Sequence, residues 1–240
     1  NRTVVLLLTL LAIGSMFYGN LIALMQKDFK RLLGFSGIAH AGYALVGFVA
    51  LDQAGFAAAL YYIIGYLLMV LACFVVICKV SRDGVNVAIE DLAGLHRRAP
   101  LLAVTLAVGV FALAGIPPFV GFMGKLTLLS AALAKGHLAL VIITMINAAI
   151  AVYYYLCVVR EAWFRDPGAL PPIRLDWPAR AACLLLITGI LALGVAPARV
   201  LQSLSTSVAK AQLGAPGTVL ADTNPGERSA PQPVGSALAP

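Results

Sequence analysis

The sequence predicts an all-α protein that crosses a membrane several times. Its 240 residues are 61% hydrophobic and only 11% charged, and the mean hydropathy is +0.95. A soluble domain would carry about a quarter charged residues. Because no soluble core could bury this much apolar surface, lipid must solvate most of the chain.

Six apolar segments support this fold class. A helix that spans the membrane needs roughly 20 apolar residues, and five of the segments fit that length. The fourth is too long for one straight span, so the sequence predicts a bundle of about six helices, one of them discontinuous. The segments cover residues 4–25, 32–51, 56–80, 101–133, 138–164 and 179–196.

Basic residues cluster at alternate connections and account for the net charge of +7. They flank the connections between segments 1 and 2, 3 and 4, and 5 and 6: Lys27, Lys30, Arg31, Lys79, Arg82, Arg97, Arg98, Arg160, Arg165, Arg174 and Arg180. The positive-inside rule places these connections in the cytoplasm and the C-terminus outside. Nucleic-acid binding would need a basic face interleaved with aromatic residues, which the sequence lacks.

Two parts of the chain differ in composition. We expect residues 1–200 to form the transmembrane helical domain. Residues 201–240 are rich in Ala, Pro, Gly and Ser, and such a composition buries too little apolar surface to fold by itself. We expect a short helical extension there, followed by a disordered tail.

The sequence contains no motif for a redox cofactor, nucleotide or metal. Its four cysteines, Cys73, Cys78, Cys157 and Cys183, lie in apolar runs without the spacing of a metal site. Neither GxGxxG nor a Walker loop occurs. We therefore predict that this chain binds no cofactor and no metal.

Lys125 is the charged residue placed deepest in an apolar segment, since apolar residues continue after it to Leu133. A charge at hydrocarbon depth is costly unless it faces protein or water. Burial disfavours the ammonium form, so such a lysine can accept and release a proton. The alternative is a structural lysine that pairs with a carbonyl or carboxylate.

A helix break precedes Lys125. Pro117 and Pro118 lack N–H groups and clash with the preceding turn, and Gly115 and Gly121 loosen the backbone on either side. Unwound backbone at this depth must line a cavity or be buried in protein, and interrupted helices of this kind mark ion sites in transporters. A proline kink alone would not explain the length of the fourth segment.

The second segment carries a polar face. His40 follows Ser36 by four residues and precedes Tyr43 by three, which places the three side chains on one side of a helix. Hydroxyl, imidazole and phenol groups could line a chain of waters; a hydrogen-bonded packing histidine is the alternative. Thr144, Asn147 and Tyr154 form a weaker stripe on the fifth segment, which we interpret as interhelical packing.

Three stretches are similar to a known family, the antiporter-like subunits of respiratory complex I. Residues 20–48, NLIALMQKDFKRLLGFSGIAHAGYALVGF, resemble a stretch that these subunits share. Residues 115–125, GIPPFVGFMGK, resemble their discontinuous helix and its lysine. Residues 147–164, NAAIAVYYYLCVVREAWF, are most similar to the branch called subunit N of NADH-quinone oxidoreductase. The similarity extends over about residues 6–200.

The resemblance implies an architecture of fourteen helices with two inverted five-helix repeats. This chain would be the C-terminal half, with the last six helices, and segment 4 would be the broken helix of the second repeat. Lys125 would match the lysine on the exit side of the family's polar axis, and His40 a polar residue near that axis. The glutamate–lysine pair and central lysine of the first repeat would lie outside this sequence.

The predicted function follows from this resemblance. The chain would be a proton-translocating subunit of NADH:quinone oxidoreductase in the bacterial inner membrane, bound to the other membrane-arm subunits and the lipid bilayer. NADH and quinone would be used elsewhere in the complex. The alternatives are an Mrp-type cation/proton antiporter subunit and a passive membrane scaffold whose lysine only holds helices together.

Overall fold

The computed structural model describes residues 2–81 and 86–213, and within these ranges the protein is helical with no strand. Its helices are α1 (Arg2–Ala23), α2 (Phe29–Val49), α3 (Gln53–Val80), α4 (Leu95–Arg98), α5 (Pro100–Ala114), α6 (Val120–Ala134), α7 (Leu138–Phe164), α8 (Trp177–Val195) and α9 (Pro197–Leu213), with a 3₁₀ turn at Ile89–Leu92. The predicted all-α fold class is confirmed.

In the described part of the chain, five helices are long and apolar enough to cross a membrane: α1, α2, α3, α7 and α8. Helices α5 and α6 have 15 residues each, which at 1.5 Å per residue is too short for either to span alone. They occupy the fourth apolar segment of the sequence. The prediction of about six membrane segments, with the fourth interrupted, is therefore confirmed.

The connections rich in basic residues meet at one end of the bundle. Asp28, before α2, forms an antiparallel bridge with Ala88 in the long connection after α3. Lys79, in the last turn of α3, pairs with Asp176, which directly precedes α8. The predicted grouping of these connections agrees with the structure, although Arg82 lies outside the described residues. Which side of the membrane this end faces stays a prediction.

The short connections meet at the opposite end. The Lys135 ammonium, after α6, lies 2.9 Å from a carboxylate oxygen of Asp52, which caps α3. The Gln53 side-chain amide donates to the backbone oxygen of Ser205 in α9, at 2.7 Å. Loops that alternate in sequence therefore alternate between two ends of the bundle, as in an up-and-down membrane protein.

Helix α3 lies at the centre and packs against α2, α5, α6, α8 and α9. Glycines allow close approach at these crossings: a Cβ at Gly109 of α5 would lie 3.1 Å from Ala72, and one at Gly47 of α2 would lie 2.8 Å from the carbonyl oxygen of Gly55. Without a hydrophobic driving force between helices in lipid, such close packing is the main source of association. These crossings place α2, α3, α6 and α7 around one polar region.

Helix α9 is amphipathic and begins at Pro197, next to the end of α8. Its apolar residues Val200, Leu201 and Leu204 pack against the core, whereas Gln202 and Ser203 are exposed. Residues 214–240, which include most of the predicted disordered tail, lie outside the described residues. The division of the chain at residue 200 stays a prediction.

Candidate functional site

The break in the fourth segment begins with a Schellman motif at the end of α5. The N–H of Ile116 donates to the carbonyl of Phe111 at 3.0 Å, and that of Gly115 donates to Ala112 at 3.0 Å. Gly115 has φ +87°, a left-handed conformation that glycine adopts without a Cβ penalty. The helix therefore stops at Ala114 because its last turn is closed off by local hydrogen bonds.

The four predicted break residues all lie in or beside this interruption. Pro117 and Pro118, which are joined by a cis peptide bond, carry the chain from α5 to α6. Gly121 lies in the first turn of α6, and a Cβ there would overlap the carbonyl oxygen of Ala112. The start of α6 thus crosses the end of α5 at backbone contact distance.

Lys125 reaches from α6 back across the break to the end of α5. Its ammonium donates to the carbonyl oxygens of Leu113 (3.0 Å) and Ala114 (2.9 Å) and lies 5.0 Å from the centre of the Tyr43 ring. Carbonyls in the last turn of a helix lack intrahelical partners and carry partial negative charge. The broken helix therefore supplies the acceptors, and the tyrosine ring adds a cation–π contact.

The surroundings of Lys125 hold its charge without a carboxylate. Within residues 2–81 and 86–213, Lys125 takes part in no ion pair, and the residue is only 7% exposed. It borders a cleft of about 330 Å³ between α6, α7 and the end of α5. Among the described residues of that lining, Thr144 is the other polar side chain and the rest are apolar.

His40 lies in a pocket made by tyrosines of other helices. Its Nδ1 is 2.8 Å from the hydroxyl of Tyr62 on α3, and its Nε2 is 3.2 Å from the hydroxyl of Tyr155 on α7. The ring of Tyr66 stacks on the imidazole with centroids 4.8 Å apart. Both nitrogens therefore have a hydroxyl partner, and the imidazole links three helices.

Ser36 and Tyr43 lie on the same buried face of α2 as His40, as the sequence spacing predicts. The Ser36 hydroxyl donates to the carbonyl of Leu33 at 2.9 Å and is also a hydrogen-bond neighbour of Tyr155. The Tyr43 hydroxyl accepts from the side-chain amide of Asn20 at 3.3 Å. All three predicted α2 residues are buried and belong to one polar region.

A cluster around Asn20 on α1 completes this region. The Asn20 amide donates to the side-chain oxygen of Asn147 at 3.1 Å, and its own oxygen accepts from the Tyr154 hydroxyl at 3.0 Å. Tyr154 in turn is a hydrogen-bond neighbour of Tyr155. Asn147 and Tyr154 thus do join helices, as the packing interpretation predicts, but they also connect the Tyr43 side of the site to the His40 side.

Sequence reasoning missed Asn20, Tyr62 and Tyr155. The signals for them were present: an amide inside the first apolar run, and tyrosine runs in the third and fifth segments. The spacing within α2 shows which of its residues share a face, but no spacing shows which residues of other helices lie opposite. Only the packing of α1, α3 and α7 against α2 brings these partners to His40.

The arrangement forms a buried polar path from Lys125 to His40. Tyr43 lies under the ammonium, and Asn20, Tyr154 and Tyr155 lead from its hydroxyl to the imidazole. Hydroxyl and neutral imidazole groups can each donate and accept, which proton transfer through hydrogen bonds requires. In the described part of the chain, His, Cys, Asp and Glu residues form no group that could hold a metal ion.

A family model described as "NADH:quinone oxidoreductase/Mrp antiporter, TM" matches residues 1–151. The chain is 66% identical over 210 residues to NADH-quinone oxidoreductase subunit N 2 of Opitutus terrae, covering 87% of this chain and 44% of that protein. It is 44% identical to subunit N 2 of Syntrophobacter fumaroxidans, covering 86% and 44%. The chain thus spans less than half the length of these relatives.

Solved structures of two membrane complexes contain chains with a similar fold. A chain of respiratory complex I from Thermus thermophilus is 36% identical with a TM-score of 0.72, covering 82% of this chain and 45% of that one. A chain of the Mrp complex from Dietzia has a TM-score of 0.74, covering 86% and 47%. The Mrp chain is only 24% identical, so it shows a shared fold and no more.

Proposed function

Because this chain belongs to the NADH:quinone oxidoreductase/Mrp antiporter transmembrane family, we propose that it is part of a proton-translocating membrane-arm subunit of an NADH:quinone oxidoreductase. The names of its relatives support this branch of the family. The observation that carries the proposal is Lys125, an ammonium enclosed at a break between two half-helices and in contact with a polar path.

In this proposal Lys125 is the proton-relay residue. The end of α5 stabilises its charged form through two carbonyls and the helix dipole, while the apolar surroundings disfavour that form. A nearby change of charge would then be enough to move the proton, because Coulomb energies of a few kcal/mol are expected at an effective dielectric constant of about 20. Lys125 would release its proton toward the periplasmic side.

His40, Ser36 and Tyr43 line the proton path in this proposal. Polar contacts join them to Asn20 and to the α7 tyrosines. Waters would have to carry the proton past the Asn20 amide, which does not relay protons, and on to Lys125, which contacts Tyr43 through its ring face. These groups would relay protons because a hydroxyl or a neutral imidazole can both accept and donate a hydrogen bond. The Ser36 hydroxyl, which donates to the Leu33 carbonyl, would have to rotate to take part.

The complex would supply what this chain lacks. NADH oxidation and quinone reduction would occur in partner subunits, and this chain would carry no redox centre and bind neither NADH nor quinone. Its partners would be other membrane-arm subunits and the lipid bilayer. It would lie in the bacterial inner membrane with its C-terminus on the periplasmic side.

The Lys125→Ala variant of the full-length protein in its complex tests the proposal. We expect normal assembly and a loss of NADH-driven proton pumping by more than about tenfold, because the positioned proton carrier is gone. Proton uptake by inverted membrane vesicles measures the pumping, and native gel electrophoresis measures assembly. Lys135→Ala is the matched control: it removes a lysine at the end of the same helix and should pump normally.

Other outcomes point to the alternatives. Full pumping in Lys125→Ala would remove the assignment of Lys125, and poor assembly would indicate a structural lysine in a scaffold subunit. An Mrp-type antiporter subunit would purify without flavin- and iron–sulfur-containing partners, whereas the proposed subunit should co-purify with them.

A further inference from the structure

A basic cleft lies at the end of the bundle that carries the basic connections, away from the Lys125 site. It has a volume of about 620 Å³ and lies between the start of α5, the connection that precedes α8, and the first turn of α8. Arg98, Arg174 and Arg180 line it together with apolar residues such as Leu101 and Leu175, and no carboxylate belongs to its lining among the residues that the structure describes. We propose that this cleft binds the phosphodiester headgroup of an anionic phospholipid.

Arg98 builds the wall of the cleft. It is 7% exposed, and its guanidinium donates to the carbonyls of Pro171 (3.1 Å) and Asp91 (2.7 Å). Its own carbonyl accepts from the N–H of Ile173 at 3.2 Å. These bonds fix the connection before α8 against the start of α5, so the backbone that leads into Arg174 is held in place.

Arg174 and Arg180 supply the charge for a ligand. Both are exposed, and within the described ranges neither forms an ion pair. Asp176, which lies between the two arginines in the sequence, is already paired: the hydrogen bond from Lys79 holds its pKa below the ordinary value. The cleft therefore keeps an uncompensated positive charge that matches a phosphodiester.

The position of the cleft points to a lipid rather than a free anion. Helix α8 begins at Trp177, a residue that is 78% exposed, and the apolar run of α5, which Thr105 interrupts, begins at Leu101. Exposed tryptophan at the end of a membrane span is typical of the headgroup level. A basic pocket between transmembrane helices at this level, with apolar walls, accommodates a phosphate and the start of its acyl chains.

Photocrosslinking in nanodiscs tests this proposal on the full-length protein in its complex. The discs contain phosphatidylcholine with a small fraction of photoactivatable phosphatidylglycerol or, in parallel, photoactivatable phosphatidylcholine. Crosslinked peptides are located by mass spectrometry. We expect peptides around residues 98–101 and 173–180 to favour phosphatidylglycerol by roughly fivefold for each arginine that contacts the phosphate.

Three variants sharpen the test. Arg174→Gln with Arg180→Gln should abolish the preference at these peptides, and Arg174→Lys with Arg180→Lys should keep most of it. The control Arg199→Gln with Lys210→Gln removes two positive charges from α9, at the opposite end, and should leave the preference intact.

Several results would overturn the proposal. One is equal labelling by both lipids in the unmodified protein. A partner subunit that fills the cleft would give this result. Another is a phosphatidylglycerol preference that survives the double glutamine substitution. A third is complete displacement of the lipid by millimolar inorganic phosphate, which would make the cleft a site for a soluble anion.

Discussion

At the scale of single residues, Lys125 and Asp52 show how a charged side chain is stabilised in a way that fits its depth. Lys125, enclosed in the bundle, uses backbone carbonyls of a helix end. Asp52, at the bundle end, caps α3 through the Gly55 N–H at 2.8 Å and pairs with Lys135. Carbonyl dipoles are already desolvated by the fold, whereas a buried carboxylate partner would bring its own desolvation cost.

Asp52 gives a prediction about pH. Partial burial opposes its ionisation, but the Gly55 hydrogen bond and the Lys135 ammonium outweigh burial and keep its pKa below the ordinary value of 3.8. A carboxyl with a lowered folded-state pKa contributes stability above its unfolded pKa, and that contribution is lost as the pH falls through the folded pKa. We expect Asp52→Ala to cost about 1 kcal/mol at pH 7.

Asp52→Asn separates the two roles of this side chain. Asparagine caps a helix as well as aspartate does, so this variant should lose only the exposed ion pair, worth about 0.5 kcal/mol. Unfolding midpoints measured from pH 7 to pH 2.5 should converge for the wild type and Asp52→Asn at the acid end. A difference that stays constant over this range would contradict the lowered pKa.

The sequence identifies the central residues of the site but not their partners. Lys125 stands out because a charge in an apolar run has a large cost, and His40 because its neighbours at i−4 and i+3 are polar. Tyr155 and Asn20 do not stand out, because tyrosine and asparagine in a helix are compatible with simple packing. Their importance comes from contacts across helices, which local spacing does not encode.

At the scale of elements, the broken helix depends on the close crossing of its two halves. Gly121→Ala would place a methyl group on the Ala112 carbonyl. Because that neighbour is backbone and cannot rotate away, α6 must shift, and overpacking of this kind costs about 1–3 kcal/mol. We expect a lower melting temperature in detergent, measured by intrinsic fluorescence.

Gly14→Ala is the control for this crossing. A Cβ at Gly14 of α1 has no neighbour within 4 Å, so the substitution should leave the melting temperature unchanged. Equal stability of both variants would mean that α5 and α6 do not meet as closely as described.

The boundaries of the elements were predictable where a strong local signal exists. Gly115 and the two prolines mark the break, and α5 and α6 fill residues 100–134, close to the predicted fourth segment. Helix α3 starts three residues before its apolar run because Asp52 caps it. The 3₁₀ turn and α4 were not predicted, since such short elements are set by contacts such as the Asp28–Ala88 bridge rather than by hydrophobic periodicity.

At the scale of the whole molecule, the two ends of the bundle differ in charge and in construction. One end is made of long connections with many basic residues, and the other of tight turns and α9. The positive-inside rule predicts that the first end is cytoplasmic. This orientation also places the proposed exit from Lys125 on the side of the Asp52–Lys135 pair.

Cysteine labelling tests this orientation. In a full-length version whose native cysteines are all replaced by serine, Lys210→Cys should react with a membrane-impermeant maleimide in spheroplasts, in which the inner membrane is intact. Lys27→Cys should react only after the inner membrane is permeabilised. The reverse pattern would show that the basic connections face the periplasm.

The hydrogen bonds between Lys125 and the end of α5 also affect how firmly the two half-helices are held together. No continuous series of backbone hydrogen bonds runs from α5 into α6. The Lys125 ammonium on α6 therefore helps to hold the two half-helices together through its bonds to the end of α5. Loss of the ammonium charge would weaken its hydrogen bonds to both carbonyls, since charge-assisted hydrogen bonds are about twice as strong as neutral ones. Deprotonation of Lys125 would therefore also loosen the contact between α5 and α6.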